Sequence, residues 1–165
     1  MSDEAGDFDA VLAAHAAMIE RILRTYELRP AVRADLRQDV ALALWQALPR
    51  YRGEAAIKTF VARIAHNIGV SHVRRDVREP AAAPVDEALP SPAPPAEEAI
   101  GRAQQSERLA EAMRSLPLGL RQAVALYLED FSNADIAATL GISEGATAVR
   151  LTRARDALAA RMGAP

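Results

Sequence analysis

The stretch that decides the fold is residues 132–158, which read SNADIAATLGISEGATAVRLTRARDAL. Ser132 can cap a first helix, because a serine hydroxyl at that position accepts a hydrogen bond from a first-turn backbone N–H. Gly141 suits the left-handed residue that ends a helix, and Ser143 can cap a second helix directly after it. Two helices joined by such a short turn predict a helix-turn-helix.

The second helix of this motif carries arginines on its polar side. Arg150, Arg153 and Arg155 recur along it, and arginine binds both phosphates and base edges in the major groove. A solvated arginine face on a plain helical bundle is the structural alternative. The glycine-centred spacing favours DNA binding, although a helix-turn-helix does not by itself identify the class of DNA-binding protein.

The composition favours an all-α protein made of two small helical domains. Half of the 165 residues are apolar, and alanine and leucine, which favour helix over strand, supply much of that half. Cysteine is absent, which excludes disulfides and cysteine-ligated metal. The acidic first ten residues lack the features of a signal peptide, and no apolar run is long enough to span a membrane. We therefore expect a cytoplasmic protein without membrane insertion.

Charge and proline divide the chain into three parts. Residues 50–78 hold seven basic and two acidic side chains, whereas residues 79–100 hold five acidic side chains, six prolines and no basic side chain. Six prolines in that length exclude a continuous helix or a central strand. We therefore predict a first helical domain at 1–78, an extended acidic linker at 79–101 and a second helical domain at 102–165.

Apolar residues at helical spacing predict three helices in the first part and four in the second. The second helix of the chain should open at Pro30, a favourable first position, and stop near Pro49. The third should end in a basic run. The helices predicted in the second part are 102–116, 117–128, 133–140 and 144–161.

The second part resembles a known family, the extracytoplasmic-function sigma factors of bacterial RNA polymerase, a type within the sigma-70 family. The segments DIAATLGIS at 135–143 and VRLTRARDAL at 149–158 resemble region 4 of that family. The pair Leu116-Pro117 before the next helix resembles it as well.

The first part resembles region 2 of the same family, independently of the second part. The segment DLRQDV at 35–40, followed by Leu44 and Trp45, is similar to region 2.2. The segments YRGEA, RIAHN and HVRR, at 51–55, 63–67 and 72–75, resemble regions 2.3 and 2.4. Two unrelated motif blocks in the family's order are far more specific than either block alone.

The resemblance implies a transcription initiation factor that binds core RNA polymerase, directs it to promoters with −10 and −35 elements, and promotes melting of the DNA. The implied partners are the β′ clamp helices and the β flap of the polymerase, promoter DNA and an anti-sigma factor. It implies no enzyme activity, catalytic residue, cofactor or metal. The residues implied to bind core polymerase are Asp35, Gln38, Asp39, Leu44 and Trp45.

The −10 element is implied to contact the loop at 51–56 and the third helix. Melting requires a base to leave the stack, and a glycine in the loop allows close approach of the backbone to a nucleotide. Spacing along the third helix places His66, Val70 and Arg74 on the same side as Arg63 and Asn67. The residues implied to bind the −10 element are Arg52, Gly53, Lys58, Arg63, Asn67, Arg74 and Arg75.

The −35 element is implied to contact the last helix. The family often has a long basic side chain where this sequence has Ala148, so we expect weak base contacts at that position. Arg150 is expected to hold phosphates or neighbouring carboxylates. The residues implied to lie at the −35 element are Ser143, Ala148, Val149, Arg150, Thr152 and Arg153.

Two other classes of function remain open from the residues alone. The chain could be a stand-alone helix-turn-helix regulator whose first part dimerises or binds a ligand, or a helical adaptor that binds only proteins. Binding to core polymerase separates the sigma factor from both alternatives. DNA binding by the free chain separates the regulator from the adaptor.

Overall fold

The structure is a computed structural model that describes residues 7–78 and 97–163, and it contains only helices and loops in those ranges. A short 3₁₀ turn, Leu48–Arg50, follows the second α-helix. The all-α prediction is confirmed. The α-helices are α1 (Phe8–Arg24), α2 (Pro30–Ala47), α3 (Ile57–Arg78), α4 (Glu97–Arg114), α5 (Leu118–Tyr127), α6 (Asn133–Leu140) and α7 (Glu144–Met162).

Helices α1, α2 and α3 pack against one another and form the first bundle. Pro30 begins α2, as predicted, because a proline at the first helical position lacks only an N–H that has no partner there. Burying one large aliphatic side chain stabilises such a bundle by roughly 1.5–3 kcal/mol. The innermost side chains are Ile22 and Leu23 of α1, Leu36, Val40 and Leu44 of α2, and Val61, Ala62 and Ala65 of α3.

Gly69 lets Tyr26, just after α1, lie directly against α3. A Cβ atom added at Gly69 would lie 2.3 Å from Cδ2 of Tyr26, closer than real contacts allow. The Tyr26 hydroxyl forms a hydrogen bond of 2.7 Å with Nδ1 of His66, which is also buried. The first bundle therefore has a polar pair at its centre.

Helices α4 to α7 form the second bundle, and the predicted helix-turn-helix is α6 and α7. The Ser132 and Ser143 hydroxyls each accept a hydrogen bond of 3.1 Å from a first-turn backbone N–H of α6 and α7 respectively. Gly141 ends α6 with φ +65°. Ala137 is buried, as expected for a small residue between closely packed helices. The sequence prediction of both caps and of the turn is confirmed.

The two bundles touch, and the apolar core of the first continues into the second. Ala123, Leu126, Phe131 and Ile136 of the second bundle belong to the same buried cluster as the core of the first. The contacts run from α3 to α5 and α6. The free chain therefore has an interface between its two bundles, which the sequence did not predict.

The predicted linker extends too far at its C-terminal end. Helix α4 begins at Glu97, whereas the sequence analysis had it begin at residue 102. Pro95 is the last proline before this helix, and the following segment EEAIGRAQQSERLAEAMR consists mostly of strong helix formers with two glutamates in the first turn. The remainder of the predicted linker, 79–96, lies outside the described residues, as do residues 1–6 and 164–165.

Candidate nucleic-acid interface

Helix α3 presents a basic surface on its outer side. Arg63, Asn67, Arg74 and Arg75 are exposed, as a role in binding nucleic acid requires. His66 and Val70 were predicted to share this side, but both are buried, so that prediction is wrong. They face the core because α3 is covered by α1 and α2 on that side, which periodicity along one helix does not reveal.

A cavity of about 300 Å³ lies beside this basic surface, between the loop after α2 and the start of α3. Gly53 turns the loop with φ +74°. The Tyr51 and Phe60 rings pack with centroids 4.9 Å apart, and the Tyr51 hydroxyl donates to the carbonyl of Ala55 and fixes the loop. The cavity is lined by Arg50, Tyr51, Arg52, Glu54, Ala55, Phe60 and Arg63.

The chemistry of this cavity suits a nucleotide. Aromatic rings offer a surface on which a base can stack, and arginines at the rim can bind the flanking phosphates. Arg52 and Arg63 both line it, so the structure brings together two of the residues predicted from sequence. Phe60 was not among them, and Tyr51 was predicted only as part of the loop at 51–56. An aromatic pair flanking a glycine loop was the available signal.

Lys58 differs from the other predicted −10 residues because its amine already has partners. It donates to the backbone carbonyl of Glu129 in the second bundle. The amine also lies 4.9 Å from the centroid of the Phe131 ring, at cation–π distance. Lys58 is thus held at the interface between the bundles rather than directed to solvent.

The outer face of α2 is a second exposed surface. Asp35, Gln38 and Asp39 are exposed, and the Trp45 side chain is 61% exposed. Leu44 was predicted to contact the polymerase, but it has no exposed surface. That prediction is wrong for a direct contact, since Leu44 packs in the core and supports the surface from within.

Leu42 also lies on this surface and was not predicted from the sequence. Its side chain is 55% exposed, three residues before Trp45 and therefore on the same side of α2. An apolar residue outside the stripe of Leu36, Val40 and Leu44 was the signal that could have identified it. Two exposed apolar side chains beside three polar ones are typical of a protein-binding surface.

Helix α7 projects the predicted −35 residues outward. Ala148, Val149, Thr152 and Arg153 are exposed. Arg150 is half-buried, and its guanidinium lies 3.4 Å from where a Cβ atom at Gly119 would be. Ser143 serves as the cap described above, so its hydroxyl is already engaged. Arg153 is therefore the exposed predicted arginine of α7 that is best placed to read bases.

An apolar groove of about 280 Å³ lies on the other side of the second bundle, between α5 and α7. Tyr127 and Leu128, at the end of α5, form one wall and are about half exposed. Leu151, Leu158 and Met162 of α7 form much of the opposite wall. The sequence analysis did not identify this groove, because it needs the two helices in their packed positions.

One cluster has the composition of a metal site. Glu27, His72 and Asp76 bring ligand atoms within 4.8 Å of one another, although the sequence had suggested no such group. Arg29 already binds both carboxylates of the cluster, since its guanidinium donates to both oxygens of Glu27 at 2.9 and 2.6 Å and reaches Asp76 at 3.4 Å.

The electrostatics of Glu27 agree with that arrangement. Burial alone raises the pKa of the Glu27 carboxyl, but hydrogen bonds from the Arg29 side chain and backbone, and from His72, outweigh burial and bring the pKa to about 2. The contacts explain the cluster as a structural ion pair between the loop after α1 and the end of α3. No metal is needed to account for it.

Comparison with known proteins agrees with the geometry of both bundles. The family model for sigma-70 region 2 matches residues 11–79, and the model for sigma-70 region 4 matches residues 106–158. Together these define a sigma-70-type transcription initiation factor, which is not an enzyme. A stand-alone regulator or an adaptor would not carry both regions.

Similarity to known proteins shows which type of sigma-70 factor this chain is. The chain is 30% identical over 163 residues to the ECF RNA polymerase sigma factor SigM of Mycobacterium tuberculosis, covering 96% of this chain and 80% of that protein. It therefore belongs to the extracytoplasmic-function family of RNA polymerase sigma factors, and it directs RNA polymerase to promoters. None of the described helices is long and apolar enough to cross a membrane.

Two solved structures share the fold. One is CnrH in complex with the cytosolic domain of CnrY, with a TM-score of 0.71 and 22% identity over 96% of this chain and 91% of CnrH. The other is RpoE in complex with the anti-sigma factor NepR from Bartonella quintana. It has a TM-score of 0.75 and 20% identity over 96% of this chain and 98% of RpoE.

Proposed function

We propose that residues 1–78 bind core RNA polymerase and the −10 element, and that residues 102–165 recognise the −35 element, with 79–101 as the connection. The observation that carries this assignment is the aromatic cavity next to the basic outer side of α3. Such a cavity can hold a base that has left the duplex, while neighbouring arginines bind the backbone.

Within the −10 site, the residues divide by chemistry. Arg52 and Arg63 bind phosphates at the rim of the cavity, together with Arg74 and Arg75 further along α3. Asn67 lies one turn after Arg63, and its amide can donate to and accept from a base edge. Gly53 allows the loop to approach the nucleotide closely.

The outer face of α2 binds the β′ clamp helices. Asp35, Gln38 and Asp39 supply polar contacts, and Trp45 supplies an aromatic anchor of the kind that dominates binding energy at protein interfaces. Exposure of all four side chains supports this role. Leu42 extends the apolar part of the surface.

The apolar groove between α5 and α7 takes an apolar segment of the β flap. It lies on the second bundle, between α5 and α7. The walls formed by Tyr127, Leu128 and Leu151 support an apolar occupant. Because relatives of the same fold bind anti-sigma factors, we propose such a partner here as well, and action in the cytoplasm, where polymerase and DNA are found.

In vitro transcription tests the proposal as a whole. Purified core polymerase is mixed with the chain and a library of genomic templates, and transcript starts are mapped. We expect a set of starts that share upstream elements at −10 and −35 and that are absent without the chain. Random starts, or none, would contradict the proposed function.

Asn67→Ala tests the melting site. We expect weaker permanganate reactivity of thymines in the melted region, with unchanged binding to core polymerase, because the lost amide contacts DNA only. Ser71→Ala is the matched control, since Ser71 is exposed on the same helix four residues further along. Equal reactivity in both variants and the unmodified protein would remove Asn67 from the site.

Asp39→Arg tests the polymerase surface. Charge reversal at an exposed position should weaken co-purification with core polymerase and leave the helical circular dichroism unchanged, because Asp39 has no packing role. Glu107→Arg, an equal reversal at an exposed position of α4, is the control. Unchanged co-purification of the Asp39 variant would exclude this face of α2.

A further inference from the structure

The polar part of the contact between the two bundles is made by one short turn of the second bundle. This turn, residues 128–131, follows α5 and includes Asp130, which has φ +61°. Its two flanking side chains, Glu129 and Phe131, are both buried. An acidic and an aromatic side chain from a surface turn become buried because the first bundle covers them.

Glu129 is bound by an arginine of α1. Its two carboxylate oxygens accept from Nε and Nη2 of Arg21 at 2.7 and 2.8 Å. The Glu129 side chain is only 8% exposed, whereas Arg21 is 60% exposed. Paired hydrogen bonds of this kind are among the stronger polar contacts and fix the geometry of the contact.

Lys58 of α3 binds the same turn. As described above, its amine donates to the Glu129 carbonyl and lies over the Phe131 ring. Lys58 and Arg21 thus bind one element of the second bundle from two different helices of the first. The turn thereby occupies a basic side chain that the resemblance assigns to the −10 element.

The contact also includes an unfavourable feature. Arg121 of α5 is buried, and its Nε has no hydrogen-bond partner among the described residues. Burial lowers the pKa of Arg121, and the nearby hydroxyl of Tyr26, in the first bundle, only partly offsets this. Its Nη2 donates to the backbone carbonyls of Arg114 and Leu116 within the second bundle. The unpaired Nε is the costly part of this environment, because a buried donor without a partner is destabilising.

The spacing of promoter elements favours bundles that are apart. The −10 and −35 elements are separated by about 25 base pairs, which is roughly 85 Å along B-form DNA at ~3.4 Å per base pair. In the structure, Lys58 of the first bundle is hydrogen-bonded to the second bundle. The chain between α3 and α4, residues 79–96, can span at most about 60 Å when fully extended, so its length allows the bundles to separate along the DNA.

We propose that the turn at 128–131 is an autoinhibitory latch. In the free chain it docks on Arg21 and Lys58, holds the two bundles together and keeps Lys58 from DNA. Binding of both regions to polymerase and promoter opens it. The inhibitory effect rests on the proposed role of Lys58 and α3 at the −10 element, whereas the latch itself rests only on the contacts just described.

Energy transfer between two dyes, one on each bundle, measures whether the bundles are in contact in the full chain. The protein contains no cysteine, so Ala10→Cys and Ala160→Cys, both at exposed positions, give a specifically labelled pair on the two bundles. We expect high transfer in the free chain and low transfer after core polymerase and promoter DNA are added. Arg21→Gln and Glu129→Gln should each lower the transfer of the free chain.

Two further variants control for folding and for charge. The double exchange Arg21→Glu with Glu129→Arg should restore the transfer, because it rebuilds the ion pair with reversed polarity. Glu107→Gln, at an exposed position of α4, should leave it unchanged. If neither Arg21→Gln nor Glu129→Gln changes the transfer, there is no latch.

Binding to DNA then tests the inhibitory effect. The probe is a labelled promoter fragment identified by the transcription assay, without polymerase. The open fraction of the Arg21→Gln variant, measured by energy transfer, should exceed that of the unmodified protein. The apparent dissociation constant of the variant for the fragment should fall by the same factor. Opening without any gain in affinity would overturn autoinhibition. A failure of the proposed function would instead appear as absent promoter-specific transcription, whatever the transfer values.

Discussion

At the scale of single residues, the histidine beneath the basic surface of α3 is the most informative. His66 is 2% exposed, and burial lowers its pKa to about 4. Burial also raises the pKa of Tyr26, its hydrogen-bond partner. Both groups are therefore neutral at physiological pH, and the pair forms a satisfied polar contact inside an apolar core.

His66 makes the free energy of unfolding depend on pH. Unfolding returns its pKa from about 4 to its ordinary value of 6.5, so the unfolded chain binds a proton first as the pH falls. The stability supplied by the neutral histidine is complete above pH 6.5 and is lost as the pH falls toward 4. Between pH 7 and pH 5 the loss is about 2 kcal/mol.

We expect His66→Gln to remove this part of the pH dependence. Urea unfolding at pH 7 and pH 5 gives the measurement. The gap in stability between the unmodified protein and the variant should narrow by about 2 kcal/mol at the lower pH. Parallel pH profiles of the two proteins would contradict the buried, neutral state of His66.

The arginines of α7 make a second prediction at residue scale. Arg153 is exposed, whereas Arg150 is half-buried against the backbone at Gly119. A base-reading arginine contributes about 1–3 kcal/mol of discrimination, while a phosphate contact changes affinity for all sequences. In the holoenzyme, Arg153→Ala should narrow the gap in affinity between cognate and scrambled −35 sequences.

Arg150→Ala is the comparison for that experiment. It should lower affinity for both sequences together and reduce the slope of the salt dependence by about one. The same variant could also loosen the packing of α7 on α5, so its thermal unfolding is measured alongside. If both variants lost discrimination between cognate and scrambled −35 sequences equally, Arg153 would not be the base-reading arginine and Arg150 would not be only a phosphate contact.

At the scale of elements, the close approach of Tyr26 to α3 can be tested by adding one methyl group. Gly69→Ala places a Cβ 2.3 Å from a buried aromatic ring. Overpacking of a filled core costs about 1–3 kcal/mol, which exceeds the gain of up to about 1 kcal/mol from alanine in a helix. We expect Gly69→Ala to lower the unfolding free energy.

Gly101→Ala is the matched control, because it lies in α4 and a Cβ there would meet no atom within 4 Å. Only the helix propensity changes, so this variant should raise stability by up to about 1 kcal/mol. Chemical denaturation measures both. If Gly69→Ala were as stabilising as Gly101→Ala, the ring would not be in contact with α3.

Local signals predicted the elements well, and the contacts between elements poorly. The caps at Ser132 and Ser143 and the turn at Gly141 were predictable, because they depend on hydrogen bonds and backbone angles of adjacent residues. The burial of Leu44 and His66 was not, because it depends on which neighbouring helix covers a given side. The groove between α5 and α7 was missed for the same reason.

The start of α4 and the contact between the bundles were also missed. The predicted linker was extended too far, to residue 101, whereas α4 begins at Glu97. The pairing of Arg21 with Glu129 joins residues 108 positions apart. A single sequence carries no signal for such a pair, since each residue alone resembles an ordinary solvated charge.

At the scale of the whole molecule, the basic side chains are concentrated in part of a chain that is acidic overall. The net charge is −2, yet residues 50–78 carry seven basic and two acidic side chains. Affinity for DNA depends strongly on the number of phosphates neutralised, and each region supplies only a few cations. Neither region alone should therefore hold DNA tightly, and polymerase must supply the remaining affinity.

The last prediction follows from that balance. Ala148 offers no long side chain to the −35 element, and Lys58 is bound to the second bundle in the free chain. We expect the free chain to bind a promoter fragment weakly at physiological salt, and a footprint over both elements to appear only after core polymerase is added. Gel-shift and footprinting assays at two salt concentrations measure this. Tight, sequence-specific binding by the chain alone would mean that it reads DNA without polymerase, as a repressor does.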